Sequence, residues 1–241
     1  MGTLISDIIH GKTACLVLNG QLEDYDYIRE VMDYNTYELI IAVDGGANHL
    51  YRLGIMPNYI LGDLDSIDDD IRSYYEASDV VFKKFPTKKD ETDAELAVWM
   101  VEEEGLLGID IYAALGGRID HELANIQLLY YILDRGMYPR IISEREEIYI
   151  LRNEEMNLKG SIGDIVSIIP VKGDARGITL ANMEYSVEEL DLKYSVTRGI
   201  SNVMLAEDAY INVRDGCILV IKNIKIGNPR ILESILSIFS L

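Results

Sequence analysis

Three short apolar segments of the chain each run into glycine and aspartate. LIIAV is followed by DGGAN (residues 44–48), YIL by GDLDS (62–66), and IDIYAAL by GGRID (116–120). If these segments are parallel strands, their carboxyl ends meet at one edge of a sheet, where open α/β sheets bind ligands. Glycines at such ends let the backbone approach a ligand closely and offer N–H groups to an anion. The pattern indicates a ligand-binding edge rich in carboxylates.

Asp63 and Asp65 are separated by a single residue. In an extended chain both side chains would project to the same side. Carboxylates that converge repel each other unless a cation lies between them. An all-oxygen set of this kind suits Mg²⁺, which takes one or two carboxylates together with substrate phosphates and water. We therefore expect Mg²⁺ at this position.

Basic residues are concentrated before and at the start of a fourth acidic segment, DETD (90–93): Lys83, Lys84, Lys88 and Lys89. The cluster could be a solvated surface, or it could collect a polyphosphate, with Arg118 as a fork-shaped phosphate donor among glycines. Acidic groups for Mg²⁺ beside basic groups for phosphate are what phosphoryl transfer requires, because its catalysis is mainly positioning and charge neutralisation.

The same acidic residues also have a purely structural interpretation. Residues 66–69 and 92–95 fit a helix capping box, and Asp93 or Asp120 in a first helical turn would favour the helix dipole without any ligand. Helix capping alone could explain the acidic residue at any one of these positions. The presence of four such segments together favours the interpretation that they bind a ligand.

The apolar pattern predicts the elements that must hold these residues. Up to about residue 142, β-rich runs alternate with helical spacing, which is clearest at residues 92–104. The predicted strands are residues 14–19, 39–43, 59–61, 80–82, 109–113 and 140–142. This alternation predicts a doubly wound, mostly parallel α/β domain over residues 1–144.

The pattern changes in the second half, where short strands follow one another without a helical run. The predicted strands are residues 147–152, 164–171, 177–181, 195–198, 209–213 and 217–222. Such a succession predicts an antiparallel β-sandwich domain over residues 145–223. Asn228 and Pro229 precede an amphipathic stretch, which predicts a helix in a C-terminal tail of residues 224–241.

Composition excludes several classes of protein. The 241 residues are 49% hydrophobic and 26% charged, which is ordinary globular composition. The net charge of −19 argues against a nucleic-acid binder or a partner of anionic membranes, and no apolar run reaches the roughly 18 residues that span a bilayer. Cys15 and Cys217 predict buried thiols in a reducing compartment. The N-terminus has no positively charged region typical of a signal peptide, so we expect a cytoplasmic protein.

Two common nucleotide motifs are not present in the sequence. GKT at residues 11–13 ends like a P-loop, but Ser6 stands where the first glycine is required, and the triplet precedes a strand. There is no G-x-G-x-x-G fingerprint, so the sequence lacks the motif that usually indicates binding of a nicotinamide dinucleotide.

Five segments together resemble the thiamine pyrophosphokinase family, in the order DGGAN (44–48), GDLDSI (62–67), KDETDAE (89–95), GGRIDH (116–121) with AN (124–125), and RGISN (198–202). The resemblance spans roughly residues 14–222. It implies an N-terminal α/β catalytic domain, a C-terminal β-sandwich, and a homodimer with active sites at the subunit interface. It also implies Mg²⁺-dependent transfer of the diphosphate of ATP to the hydroxyethyl oxygen of thiamine, giving thiamine diphosphate and AMP.

The resemblance also implies roles for individual residues. The acidic catalytic positions are Asp63, Asp65, Asp90, Asp93 and Asp120, of which the first four are expected metal ligands. The expected ATP-binding positions are Asp44, Gly45, Gly46, Asn48, Lys89, Thr92 and Arg118. Ser201 and Asn202 are expected to bind thiamine from a turn of the second domain.

Two stretches of the second domain depart from the family pattern. Val203 and Met204 follow the Ser-Asn turn where the family often has an acidic and an aromatic residue, and residues 182–187 read NMEYSV in place of GLKYPL. Both stretches lie in the domain that is expected to contact thiamine. One alternative is therefore a pyrophosphokinase or kinase that acts on another alcohol. Another is a non-catalytic sensor of thiamine phosphates or nucleotides; loss of the acidic set would favour it, and here the set is intact.

Overall fold

A computed structural model describes residues 12–84 and 90–224. The helices of these ranges are α1 (Tyr25–Asn35), α2 (Gly46–Leu53), α3 (Asp69–Glu76), α4 (Asp93–Glu103) and α5 (Ile119–Asp134). The strands of the first half are β1 (Thr13–Val17), β2 (Leu39–Val43), β3 (Tyr59–Gly62), β4 (Val81–Lys84), β5 (Gly108–Tyr112) and β6 (Tyr138–Ile142). Those of the second half are β7 (Glu146–Arg152), β8 (Glu155–Lys159), β9 (Ile165–Ala181), β10 (Val187–Leu192), β11 (Asn202–Val203) and β12 (Asp208–Asn223).

The first half is a doubly wound α/β sheet, as the alternating pattern predicts. Its strands are parallel and lie in the order β4-β3-β2-β1-β5-β6. Apolar residues of α4 and α5 pack on one face, and those of α1, α2 and α3 pack on the other. Because every strand is parallel, the carboxyl ends that carry the acidic segments meet at one edge.

The second half is an antiparallel sheet that folds back on itself as a sandwich. The long strands β9 and β12 pair along their length and take part in both layers: one end of β12 pairs with β7 and the other with β8. The bend falls at Asn153, Lys172 and Gly216, all with positive φ. Apolar side chains of β9 and β12 fill the space between the layers.

Three details of the second half differ from the sequence-based expectation. The two segments 164–171 and 177–181 belong to one strand, β9, as do 209–213 and 217–222 in β12. Residues 195–198 leave a turn and continue as irregular chain, so the predicted strand there is wrong. The strands β8 and β10 were not predicted, because both are border strands with mostly exposed charged or polar residues and a weak apolar alternation.

The joint between the halves is a short turn. Strand β7 pairs antiparallel with β6, so both halves lie on one continuous sheet path. Cys15 and Cys217 are buried free thiols, as predicted. Among the described residues, no helix is long and apolar enough to cross a membrane. The predicted C-terminal helix lies beyond residue 224, outside the described part of the chain.

Candidate active site

A cleft of about 1340 Å³ opens at the carboxyl ends of β1, β2, β3 and β5 and continues alongside α5. The predicted site residues that line it are Asp44, Asp63, Asp65, Thr92, Asp93 and Arg118. Those that do not line it are Gly45, Gly46, Asn48, Asp90, Asp120, Ser201 and Asn202. Lys89 lies outside the described residues. The cleft therefore brings four carboxylates and one guanidinium to the edge where the strand order predicts a ligand.

Asp44 lies deepest among these carboxylates. It follows β2 in a left-handed conformation with φ 49°, and its Oδ1 is buried without a hydrogen-bond partner among the described residues. The approach to Gly62 is so close that a Cβ at that position would lie 1.6 Å from Asp44 Oδ1. Gly62 also has φ +128°, so a glycine is required there for both reasons.

Burial, and then the charges of Asp93, Asp63 and Asp65, together raise the pKa of Asp44 to about 6. A backbone hydrogen bond from Asp63 opposes this shift. The carboxyl ends of the strands thus concentrate negative charge, as the sequence predicts, in a place where a cation would relieve the repulsion.

The segment that carries Asp63 and Asp65 is a turn, which corrects the expectation of an extended chain. Leu64 has φ 69° and is buried, and the N–H of Asp65 donates to Asp63 Oδ1 at 3.2 Å. The two carboxylates nevertheless lie close together: a hydrogen bond with Asp63, and then the charge of Asp63, raise the pKa of Asp65. The turn therefore brings the carboxylates of Asp63 and Asp65 together, as the sequence predicts, although the prediction was derived from the geometry of an extended strand.

Thr92 and Asp93 reach the cleft from the start of α4. Thr92 Oγ1 accepts from the N–H of Glu95 at 3.2 Å, and a Glu95 carboxylate oxygen accepts from the N–H of Thr92 at 2.8 Å. This is the predicted capping box, so the structural interpretation of these residues is confirmed. Capping also fixes the position of Asp93, the first residue of the helix, beside the other carboxylates.

Arg118 and Asp120 form an ion pair at the mouth of the cleft. Arg118 Nη2 lies 2.5 Å from Asp120 Oδ2, with 75% and 61% of the two side chains exposed. A hydrogen bond from Arg118 lowers the pKa of Asp120. The guanidinium lines the cleft, whereas Asp120 does not.

Helix α2 begins at the glycines that follow Asp44, with Gly45 as its N-cap. The Asn48 amide of this helix is paired at both its nitrogen and its oxygen: Nδ2 donates to the carbonyl of Ser66 at 3.0 Å, and Oδ1 accepts from the N–H of Asp68 at 3.1 Å. His49 Nε2 lies 2.8 Å from the carbonyl of Gly20, and its Nδ1 lies 2.7 Å from the hydroxyl of Tyr25.

Among the residues of the cleft that the sequence analysis gave no role are Asn19, Gly20 and Asn125. Asn19 and Gly20 follow β1, so the rule that located the other strand ends applies to them as well. Asn125 lies within α5 and donates from Nδ2 to the carbonyl of Ala114 at 2.7 Å. Asn125 belongs to the fourth segment on which the family resemblance rests, although the resemblance gave it no role of its own.

Ser201 and Asn202 lie in the second half, away from the lining of the cleft. Asn202 is 7% exposed, and its amide is paired with Tyr185: Oδ1 accepts from the Tyr185 N–H and Nδ2 donates to the Tyr185 carbonyl, both at 2.9 Å. Ser201 is exposed in a left-handed turn with φ 59°. Asn202 thus ties its turn to residues 182–187, the stretch that departs from the family pattern.

The side chains of the cleft suit a hard divalent cation. Asp44, Asp63, Asp65 and Asp93 offer oxygen alone, and one oxygen of Asp44 is buried without a hydrogen-bond partner among the described residues. Within residues 12–84 and 90–224, no three histidine, cysteine or acidic side chains are grouped closely enough to hold a metal ion by themselves. A cation here would complete its coordination with substrate oxygens and water, as Mg²⁺ usually does.

Two family models match the chain. The model described as thiamin pyrophosphokinase, catalytic domain, matches residues 33–139, and the model described as thiamin pyrophosphokinase, vitamin B1 binding domain, matches residues 145–218.

Curated relatives and solved structures agree with these matches. The chain is 30% identical over 189 residues to thiamine pyrophosphokinase of Bacillus subtilis, across 78% of this chain and 88% of that protein. It is 25% identical over 223 residues to thiamine pyrophosphokinase 1 of Oryza sativa subsp. japonica, across 82% of each. The crystal structure of thiamine pyrophosphokinase from Bacillus subtilis superposes with a TM-score of 0.80 at 27% identity, covering 89% of this chain and 100% of that one. Yeast thiamin pyrophosphokinase shares the fold, with a TM-score of 0.73 at 17% identity over 92% of this chain and 90% of that one.

Proposed function

Because the chain belongs to the thiamine pyrophosphokinase family, whose members synthesise thiamine diphosphate, we propose that it transfers the diphosphate group of ATP to the hydroxyethyl oxygen of thiamine and releases AMP. The oxygen of thiamine forms a bond to the β-phosphorus, the bond from that phosphorus to the oxygen of the α-phosphate breaks, and the hydroxyl proton is lost. The observation that carries this proposal is the cleft with its four carboxylates and Arg118 at the carboxyl edge of the parallel sheet.

In this proposal Asp63, Asp65 and Asp93 hold Mg²⁺, and Asp44 adds the charge of its partly buried carboxylate. Bound Mg²⁺ would neutralise phosphate oxygens and so favour attack at phosphorus. Arg118 lines the cleft, and its guanidinium, now paired with Asp120 in an exposed ion pair, could exchange that partner for a phosphate. The ATP-binding roles of Gly45, Gly46 and Lys89 and the metal and catalytic roles of Asp90 and Asp120 stay predictions.

The products of a single assay test the reaction. Purified protein with ATP, Mg²⁺ and thiamine should form AMP and thiamine diphosphate in equal amounts, since attack at the β-phosphorus leaves AMP. Formation of ADP with thiamine monophosphate would refute diphosphate transfer. A parallel assay with other primary alcohols of similar size tests the alternative that the acceptor is not thiamine. The match to a vitamin B1 binding domain argues against that alternative.

We also propose a homodimer in which the Ser201 turn of one subunit completes the cleft of the other. It is supported by the place of Ser201, which is exposed and does not line the cleft of its own chain. The buried, unpaired thiols of Cys15 and Cys217 support a reducing, cytoplasmic location.

Mixing two inactive variants tests the shared site. Asp63→Asn disables the cleft, and Ser201→Trp fills the exposed turn. After joint unfolding and refolding, random pairing gives mixed dimers with one intact site each, so about a quarter of wild-type activity should return. No recovery, with mixed dimers demonstrated by mass spectrometry, would place the whole site within one subunit.

A further inference from the structure

We propose that Asn48 is a positioning residue for the acidic turn after β3 and does not bind the nucleotide. This inference rests on the proposed Mg²⁺-dependent reaction at the cleft. Asn48 does not line the cleft, and its amide is already paired at both ends, with the carbonyl of Ser66 and the N–H of Asp68. Turning this side chain toward ATP would break both of these hydrogen bonds.

The segment that Asn48 holds carries the carboxylates of the cleft. Between β3 and α3, the chain inserts Leu64 and Ile67 into the core, where they are 2% and 5% exposed. The two hydrogen bonds of Asn48 fall on either side of Ile67, so they fix the chain between Asp65 and the start of α3. Leu64 adopts φ 69°, a conformation that persists only where the surroundings enforce it.

Helix α2 is itself anchored, so it can serve as a fixed support. The hydroxyl of Tyr75 donates to the carbonyl of Ala47 at 3.3 Å, and the N–H of Ala47 donates to the carbonyl of Asp44 at 3.2 Å. The next residue, His49, contacts the carbonyl of Gly20 on the β1 side of the cleft. Adjacent residues of one short helix thus hold the segments on both sides of Asp44.

Removal of the Asn48 amide should therefore loosen the spacing of Asp63 and Asp65 while leaving the nucleotide contacts in place. For Asn48→Ala, the Mg²⁺ concentration at half-maximal activity should rise about tenfold, equivalent to about 1.4 kcal/mol. Turnover at saturating Mg²⁺ should recover most of its wild-type value, and the KM for thiamine should not change. Asn48→Asp keeps an acceptor for the Asp68 N–H but loses the donor, so its shift should be smaller.

Asn58→Ala is the matched control. Asn58 precedes the same strand, β3, at its opposite end, and its Oδ1 accepts from the N–H of Ile40 at 2.8 Å. This variant also removes an asparagine–backbone hydrogen bond but lies outside the cleft lining. A general loss of stability would affect both variants, whereas a shift in metal dependence should occur only in the Asn48 variants.

Two measurements without turnover decide the question. Amide hydrogen exchange of residues 64–68 should be about tenfold faster in Asn48→Ala, and Mn²⁺ binding followed by electron paramagnetic resonance should weaken by a similar factor. ATP binding without metal, measured by calorimetry, should be unchanged. Weaker metal-free ATP binding with unchanged exchange would make Asn48 a nucleotide ligand and overturn the proposal. Because exchange is measured without substrates, a failure of the proposed reaction would be seen separately, as the absence of AMP in the wild-type assay.

Discussion

Four carboxylates at the carboxyl edge of the parallel sheet repel one another when no cation is present. Asp63 and Asp65 belong to one turn, and a hydrogen bond between them and the charge of Asp63 raise the pKa of Asp65. This arrangement costs the fold energy and offers nothing in packing, since both side chains are exposed. The proposed Mg²⁺ would relieve this repulsion.

Asp63→Asn tests this metal role directly. The variant keeps the shape of the side chain and removes its charge, so turnover should fall at least about a hundredfold, the scale of losing a main electrostatic stabiliser. Steady-state rates at limiting and saturating Mg²⁺ measure the effect. Asp69→Asn is the matched control, because Asp69 is an exposed acid in the first turn of α3 that does not line the cleft. Near-normal turnover of Asp63→Asn at limiting Mg²⁺ would contradict the metal role.

Asp44 should make the metal-free protein less stable as the pH rises. Burial raises its folded pKa to about 6 from an ordinary 3.8, so the neutral form suits the fold. The contribution of this carboxyl to the free energy of unfolding is present below about pH 4 and is lost as the pH rises through 6.

Asp44→Asn should therefore be more stable than the wild type at pH 8. We expect about 1 kcal/mol, after allowance for the water that reaches this half-buried group. At pH 4 the difference should vanish. Urea unfolding in the presence of a chelator measures both values, and a variant that is less stable at pH 8 would contradict the argument. The enzymatic activity of this variant should be lost, because one of the four carboxylates of the cleft is removed.

At the level of elements, Thr92 at the start of α4 both caps the helix and lines the cleft. Thr92→Ala should lower the free energy of unfolding by about 1 kcal/mol, because it removes the capping hydroxyl. Thr92→Asn retains a capping oxygen and should keep the stability. Both variants should raise the KM for ATP if the hydroxyl also contacts the nucleotide, as the proposed role requires. An unchanged KM in Thr92→Asn would leave Thr92 as a cap alone.

The sequence predicted those elements whose local pattern and tertiary environment agree. Strand β2 and the Thr92 cap were located to the residue, because an apolar run and a capping box are visible in the residues themselves. The turn at Leu64 was not, because leucine has no preference for positive φ and is held there by tertiary contacts such as its burial in the core. The geometry of Asp63 and Asp65 was therefore derived incorrectly even though their proximity was predicted.

In the second half, the limits of prediction have a different cause. Strand β10 exposes most of its charged residues at the border of the sheet, so its sequence, VEELDL, has little apolar alternation to recognise. Strand β9 passes through a bend at Lys172, and sequence reasoning treats the glycine and charged residues there as a break between two strands. Only the pairing with β12 shows that the strand continues.

At the level of the whole molecule, the bend of β9 and β12 makes two layers from one sheet, and Gly216 is critical to it. Its φ is +114°, and a Cβ there would lie 2.8 Å from the backbone carbonyl oxygen of Asp174. Gly216→Ala should therefore lower the free energy of unfolding by about 3 kcal/mol, through backbone strain and a clash that cannot relax easily.

Gly173→Ala separates these two causes. Gly173 lies on the same bend with φ +136°, but a Cβ there meets no atom within 4 Å. Strain alone should reduce its stability by about 1 kcal/mol. Urea unfolding of both variants measures the difference, and equal losses would mean that the clash at Gly216 is relieved by movement of the β9 segment.

The antiparallel pairing of β6 with β7 joins the first and second halves of the chain through one sheet and one apolar core. Ile148 and Ile150 of β7, with Cys217 and Leu219 of β12, belong to the same apolar core as helices α4 and α5. If the chain were divided at the turn between β6 and β7, the first fragment would lose these four side chains, which pack in the same core as α5. Strand β6 would also become an unpaired edge strand, which favours self-association. Gene fusions or domain exchanges within the family can thus succeed only if they transfer these four residues together with the helix that rests on them.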